Sequence, residues 1–148
     1  MSSPMITKDD LNAIILDGKP DVLVTKADAF GRDLANKRLT KNQIRNVFGE
    51  VRKIEAQWSD PEREARDNVR RLLLLKPRMA YQAEREPRAK PLLDVLSEAI
   101  NLVVREDGPQ TQHKRFGYFV EMFEAILAFH TAQEGENQRK RRNNRGRR

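Results

Sequence analysis

The sequence predicts an all-α protein, a compact bundle of five or six helices followed by a disordered basic C-terminal tail. Three observations carry that reading. Thr7 with Asp10 and Thr40 with Gln43 have the spacing of capping boxes, and apolar residues recur at intervals of three and four through the second half of the chain. The alternation a half-buried strand requires is almost absent.

The elements follow in order. Thr7 and Asp10 open a short first helix that ends before Gly18, and Pro20 sits where the first turn of a second helix tolerates proline. The stretch 21–36 is helical by its position, although Val22-Leu23-Val24-Thr25 also suits the start of a strand. Thr40 and Gln43 open a third helix in which Ile44, Val47, Phe48, Val51, Ile54 and Trp58 share a stripe. Asp60-Pro61 is expected to cap and open a fourth, with Glu62 and Glu64 favoured by the dipole of its first turn. Leu72 to Leu75 point in every direction around that helix, which predicts a central helix packed on several sides. Pro77 leaves Arg78 to Arg85 as either a kinked continuation or a separate short helix.

Pro91 suits the first residue of a fifth helix carrying Leu92, Leu93, Val95, Leu96, Ile100 and Val103, and Glu106-Asp107-Gly108-Pro109 ends it. The last helix is expected from about Thr111 to Gln133, with Phe116, Phe119, Val120, Phe123, Ile126, Leu127 and His130 on one stripe. Residues 1–135 thus read as one helical domain, least certainly over 1–36. Residues 136–148, without an apolar side chain, read as disordered.

Composition narrows the function. The 148 residues include no cysteine, which excludes a disulfide framework, a thiolate metal site and a cysteine nucleophile. Apolar runs such as Leu72 to Leu75 are far short of the ~18 residues a membrane span needs, and no secretory signal is recognisable at Met1-Ser2-Ser3-Pro4. A cytoplasmic protein without membrane contact is expected. The formal net charge of +7 is unevenly placed: residues 137–148 hold seven basic and no acidic residues, and residues 37–90 hold 15 basic against 8 acidic. Both flanking stretches are acidic. A basic middle and a basic tail on an otherwise neutral body suggest a polyanion met by one face.

Lys41, Arg45 and Arg52 project within about 40° of one another on the third helix, beside Phe48 and off the core stripe. Cations one turn, about 5.4 Å, apart can follow successive phosphates of a nucleic-acid strand. Lys37, Arg38 and Lys53 extend the row, and Lys76, Arg78 and Arg85 form a second edge around Pro77. The competing reading is a solvated face partnered by Glu50 and Glu55. Tyr81, among basic residues, is the aromatic candidate for a base or ribose contact, although burial of its ring is the favoured expectation. Four of the six phenylalanines lie in the last helix at core spacing and are assigned to packing. The basic tail is compatible with nucleic acid, an acidic protein surface or no specific partner.

No catalytic residue, metal site or cofactor is expected. His113 and His130 are 17 positions apart on one predicted helix, some 25 Å along its axis, too far to share a metal. His130 belongs to the apolar stripe, and neither a phosphate-binding glycine loop nor a nucleophile elbow is present.

Three segments carry a resemblance by their order and spacing: Leu39-Thr40-Lys41-Asn42-Gln43-Ile44-Arg45-Asn46, then Leu74-Leu75-Lys76-Pro77-Arg78-Met79-Ala80-Tyr81-Gln82-Ala83-Glu84-Arg85, then the run from Phe116 to His130. Together they resemble the small subunit of the type III-A CRISPR effector, the Csm complex, over roughly residues 37–135. The resemblance implies a non-catalytic helical subunit present in several copies beside the backbone subunits, lining the channel occupied by guide RNA and single-stranded target RNA, in antiviral defence. Its implied partners are those RNAs, the backbone and large subunits, and neighbouring copies of itself. It raises Lys41, Arg45, Arg78 and Arg85, which lie inside the matching segments; Arg52 and Lys53 rest on the helical projection alone. Family members commonly place a glycine before the arginine of the second segment, where Glu84 stands here. Two other readings remain at this stage: a stand-alone helical nucleic-acid-binding protein, and a helical adaptor that binds only protein.

Overall fold

Thr7 and Thr40 both do what their spacing demands. The Thr7 hydroxyl accepts from the backbone N–H of Asp10 at 3.2 Å while the Asp10 carboxylate accepts from Thr7 N–H at 3.0 Å. Thr40 and Gln43 repeat the exchange at 3.3 and 3.0 Å. The computed structural model describes residues 5–58 and 65–146, and every regular element among them is helical. After α1 (Lys8–Leu11) the chain widens into a single π-helical turn, Asn12–Leu16, and breaks at Gly18, whose φ of +62° suits a residue without Cβ. Helix α2 (Pro20–Asn36) starts with proline in its first turn, so Val22 to Thr25 is helical and the strand alternative falls. Then come α3 (Lys41–Gln57), α4 (Ala65–Arg85), a 3₁₀ turn at Pro87–Ala89, α5 (Lys90–Val103) and α6 (Pro109–Gly146).

α6 is the axis of the bundle. Its most extensive interface is with α2, and it also packs on α3, α5 and the π-helical turn. Gly31 makes the α2 crossing possible, because a Cβ there would lie 2.6 Å from the carbonyl oxygen of Ile126. Phe116, Phe119 and Phe123 are fully buried along α6. Trp58 stacks on Phe116 at 4.5 Å, and Phe48 meets Phe123 edge-on at 5.0 Å, so α3 is held against α6 by aromatic rings.

α4 is not the central helix its leucines suggested. Asn68, Leu72, Leu75 and Met79 form its one buried stripe, facing α5 and α3, while Leu73 and Leu74 are 40% and 51% exposed. Pro77 lies inside the continuous helix, on the exposed side shared with Leu73, where water can take up the carbonyl its missing N–H leaves free. The expected cap at Asp60-Pro61, with Glu62 and Glu64, lies outside the described residues. The tail also departs from expectation: residues 137–146 continue α6 as helix instead of being disordered, exposed from Gln138 onward. A packed helix has already met the cost of nucleation, and Gln, Arg and Lys propagate it readily.

Candidate nucleic-acid interface

α3 carries its cations on two opposite flanks. Ile44, Val47, Val51 and Ile54 face the core. On one side of that stripe stand Lys41, Arg45 and Arg52, next to Phe48 and toward α6. Arg52 is engaged: its guanidinium lies 4.9 Å from the centre of the Phe48 ring, bonds Glu55 at 2.6 Å and pairs with Glu124 of α6. The Glu55 hydrogen bond, with the charge of Glu124 added, raises its pKa against the desolvation that opposes it. Lys41 and Arg45, one turn apart, have no ion pair among the described residues, and the Arg45 side chain is exposed.

Lys53 belongs to the other flank, about 120° around the helix from Lys41. There a groove of about 230 Å³ runs between α3 and α4, lined by Lys53, Arg71, Arg78 and Glu50 over a floor that includes Leu74 and Leu75. Glu50 takes both Lys53, at 3.5 Å, and Arg78, at 3.3 Å. Such pairs between exposed side chains contribute only ~0–1 kcal/mol each, so a phosphate could replace the carboxylate at small cost. Arg71 is the groove cation that sequence reasoning missed, although its spacing of seven from Arg78 puts both on one face of a helix.

The second edge does not form as one row. Arg85 closes on Tyr81, donating to its hydroxyl at 3.4 Å with the guanidinium 5.7 Å from the ring centre. Tyr81 is 65% exposed, so the favoured expectation that its ring is buried is wrong; an exposed ring backed by an arginine is available for stacking. Lys76 turns the other way, donating to Asn101 of α5 at 2.5 Å. Lys37 pairs with Asp33 at 2.9 Å. Arg38 has no ion pair among the described residues and holds a left-handed backbone, φ 68°.

Both histidines are placed in the packing. Nε2 of the fully buried His130 donates to the carbonyl of Leu39 at 2.5 Å, tying α6 to the turn after α2. His113 stacks on Trp58 at 5.7 Å. Among the described residues no group of three His, Asp or Glu could hold a metal ion, and no helix is long and apolar enough to cross a membrane.

The class is therefore that of a small all-helical protein displaying cations on open helix flanks around an aromatic core. A family model described as Csm2 Type III-A matches residues 17–136. The chain belongs to that family, the small subunit of the type III-A CRISPR complex. The match begins well before Lys37, where the resemblance over roughly residues 37–135 starts. No match was found among curated proteins or among solved structures.

Proposed function

We propose that this chain is a non-catalytic RNA-binding subunit of the type III-A ribonucleoprotein, repeated along the channel that holds the guide and its single-stranded target, and so contributes to antiviral defence in the cytoplasm. The observation that carries the reading is the pair Lys41 and Arg45: two cations without ion pairs among the described residues, one helical turn apart, inside the region the family model matches. Arg52, Lys53, Arg78 and Arg85 extend the cationic surface on both flanks of α3 and along α4, with Lys37, Arg38, Lys76 and Tyr81 as outlying contacts. Backbone and large subunits and neighbouring copies of the chain are its protein partners, and it needs no cofactor.

A salt series tests it. Each phosphate contact to single-stranded RNA contributes about 0.7 to the log–log slope of affinity against salt. Replacing Lys41 and Arg45 with alanine should lower the slope by about that much each, nearly independently of base sequence. Arg52→Ala should change it less, since Glu55 and Glu124 already neutralise that side chain. An unchanged slope in the Lys41→Ala/Arg45→Ala variant would remove α3 from the interface.

The adaptor reading keeps one observation in its favour, the pairing of Arg52, Lys53 and Arg78 with carboxylates. Co-purification separates the two. Guide-length RNA retained with several partner subunits supports the ribonucleoprotein subunit, and free monomer without RNA supports the adaptor.

A further inference from the structure

The turn between α2 and α3 is built at a conformational cost. Arg38 N–H bonds the carbonyl of Ala35 at 3.0 Å and Leu39 N–H that of Leu34 at 3.1 Å, the paired bonds of a Schellman motif. The residue between cap and return in that motif is usually glycine, because its backbone is left-handed. Here it is arginine, at φ 68°. A bulky residue held there invites the question of what its side chain does.

Beside it lies a depression of about 220 Å³ whose walls come from three places far apart in sequence. Arg38 and Thr40 supply the α2–α3 turn, Arg88 the 3₁₀ turn before α5, and Asn137, Gln138 and Arg141 the basic end of α6. Asn137 donates to Asn36 at 3.0 Å and accepts from Gln133 at 2.9 Å, which fixes this part of α6 against the turn. None of the three arginines has an ion pair among the described residues, in contrast to Arg52 and Arg78. Glu134 is the one acid in the lining, leaving an excess of two positive charges. Three arginines line this one concavity, and guanidinium forks suit the tetrahedral oxygens of a phosphate. At about 30 Å³ per water, the space also admits bridging solvent.

We propose that Arg38, Arg88 and Arg141 form a binding pocket for a single phosphate group, distinct from the α3 and α4 flanks. The ligand chemistry is a phosphate carried either by an RNA strand or by a free phosphate ion. The first source rests on the RNA-binding reading above; the second does not. The pocket also gives the basic segment a fixed role, because Arg141 acts from a defined position on α6.

Two measurements on the full-length chain test the pocket. In the first, inorganic phosphate is titrated while the arginine Nε–Hε resonances are followed by NMR; Arg38, Arg88 and Arg141 should shift together and saturably, with Arg142 and Arg145 as internal controls. In the second, binding of a single-stranded oligoribonucleotide is followed across a salt series. Since charge-assisted hydrogen bonds contribute about 1.5–3 kcal/mol, Arg88→Ala or Arg141→Ala should each weaken binding about tenfold or more. Because the arginines share one phosphate, the triple variant should lower the salt slope by only about 0.7 in all. Arg88→Lys, which keeps charge without the fork, should also weaken binding. Arg38→Gly should raise Tm and lower affinity together, which loss of folding cannot mimic.

If RNA binding is as strong in the triple variant as in the parent but the phosphate shifts occur, the pocket stands with free phosphate as its ligand. If the parent binds no RNA at all, the RNA-binding reading fails and the phosphate shifts alone decide the pocket. Absence of those shifts together with parent-like RNA binding by the variants overturns it.

Discussion

Phe123 shows how a single side chain separates core from interface. It is fully buried on α6 between Phe48 and Phe119, so Phe123→Ala should cost about 3–5 kcal/mol in urea unfolding, enough to unfold a marginally stable domain. A soluble Phe123→Ala protein of parental stability with weakened RNA binding would mean that the ring is a stacking surface. Asp10 makes a pH-dependent prediction. Its partial burial alone would raise the carboxyl pKa, but bonds from the Thr7 backbone and hydroxyl, with Lys26 at 3.5 Å, leave it below the ordinary aspartate value. A depressed native pKa stabilises the fold above the unfolded value and is lost as pH falls through the native one. The parent should therefore exceed Asp10→Asn in stability at neutral pH by at most about 1 kcal/mol, and the gap should close below about pH 4. A gap that persists in acid would assign the effect to shape and not to charge.

Whole helices were legible to different degrees. α3 and α5 were, because caps and stripes are local and the apolar face alone decides what is buried. The four leucines of α4 misled because a run of apolar residues states what a helix could bury, while the neighbours available decide what it does bury. With α3 and α5 on one side only, Leu73 and Leu74 stay exposed. Glycines divide the same way. Gly31→Ala should destabilise by about 1–3 kcal/mol, since its Cβ would meet the backbone of Ile126 and His130, which no rotamer change can relieve. Gly49→Ala, exposed on α3 with nothing within 4 Å, should instead stabilise by about 0.5–1 kcal/mol. Equal effects in thermal unfolding would show that α2 and α6 do not approach so closely.

At the scale of the molecule, both histidines are engaged in packing contacts, His130 with Leu39 and His113 with Trp58. Purified protein incubated with RNA and magnesium or manganese should leave the RNA intact. Cleavage that survives purification and vanishes in His113→Ala would assign the chain a chemistry of its own. The sequence by itself determined the helical class, most element boundaries, the aromatic stripe of α6 and the family. All of these rest on patterns within one or two turns, or on the order of segments along the chain. Only the tertiary structure decided which cations are met by acids from other helices. Arg52 is met by Glu124, 72 residues away, and Arg78 crosses to Glu50, while Lys41 and Arg45 have no ion pair among the described residues. Helical periodicity fixes the direction of a side chain about its own axis; whether its charge is met depends on Coulomb interactions over a few ångströms between residues that only the packing of helices brings together.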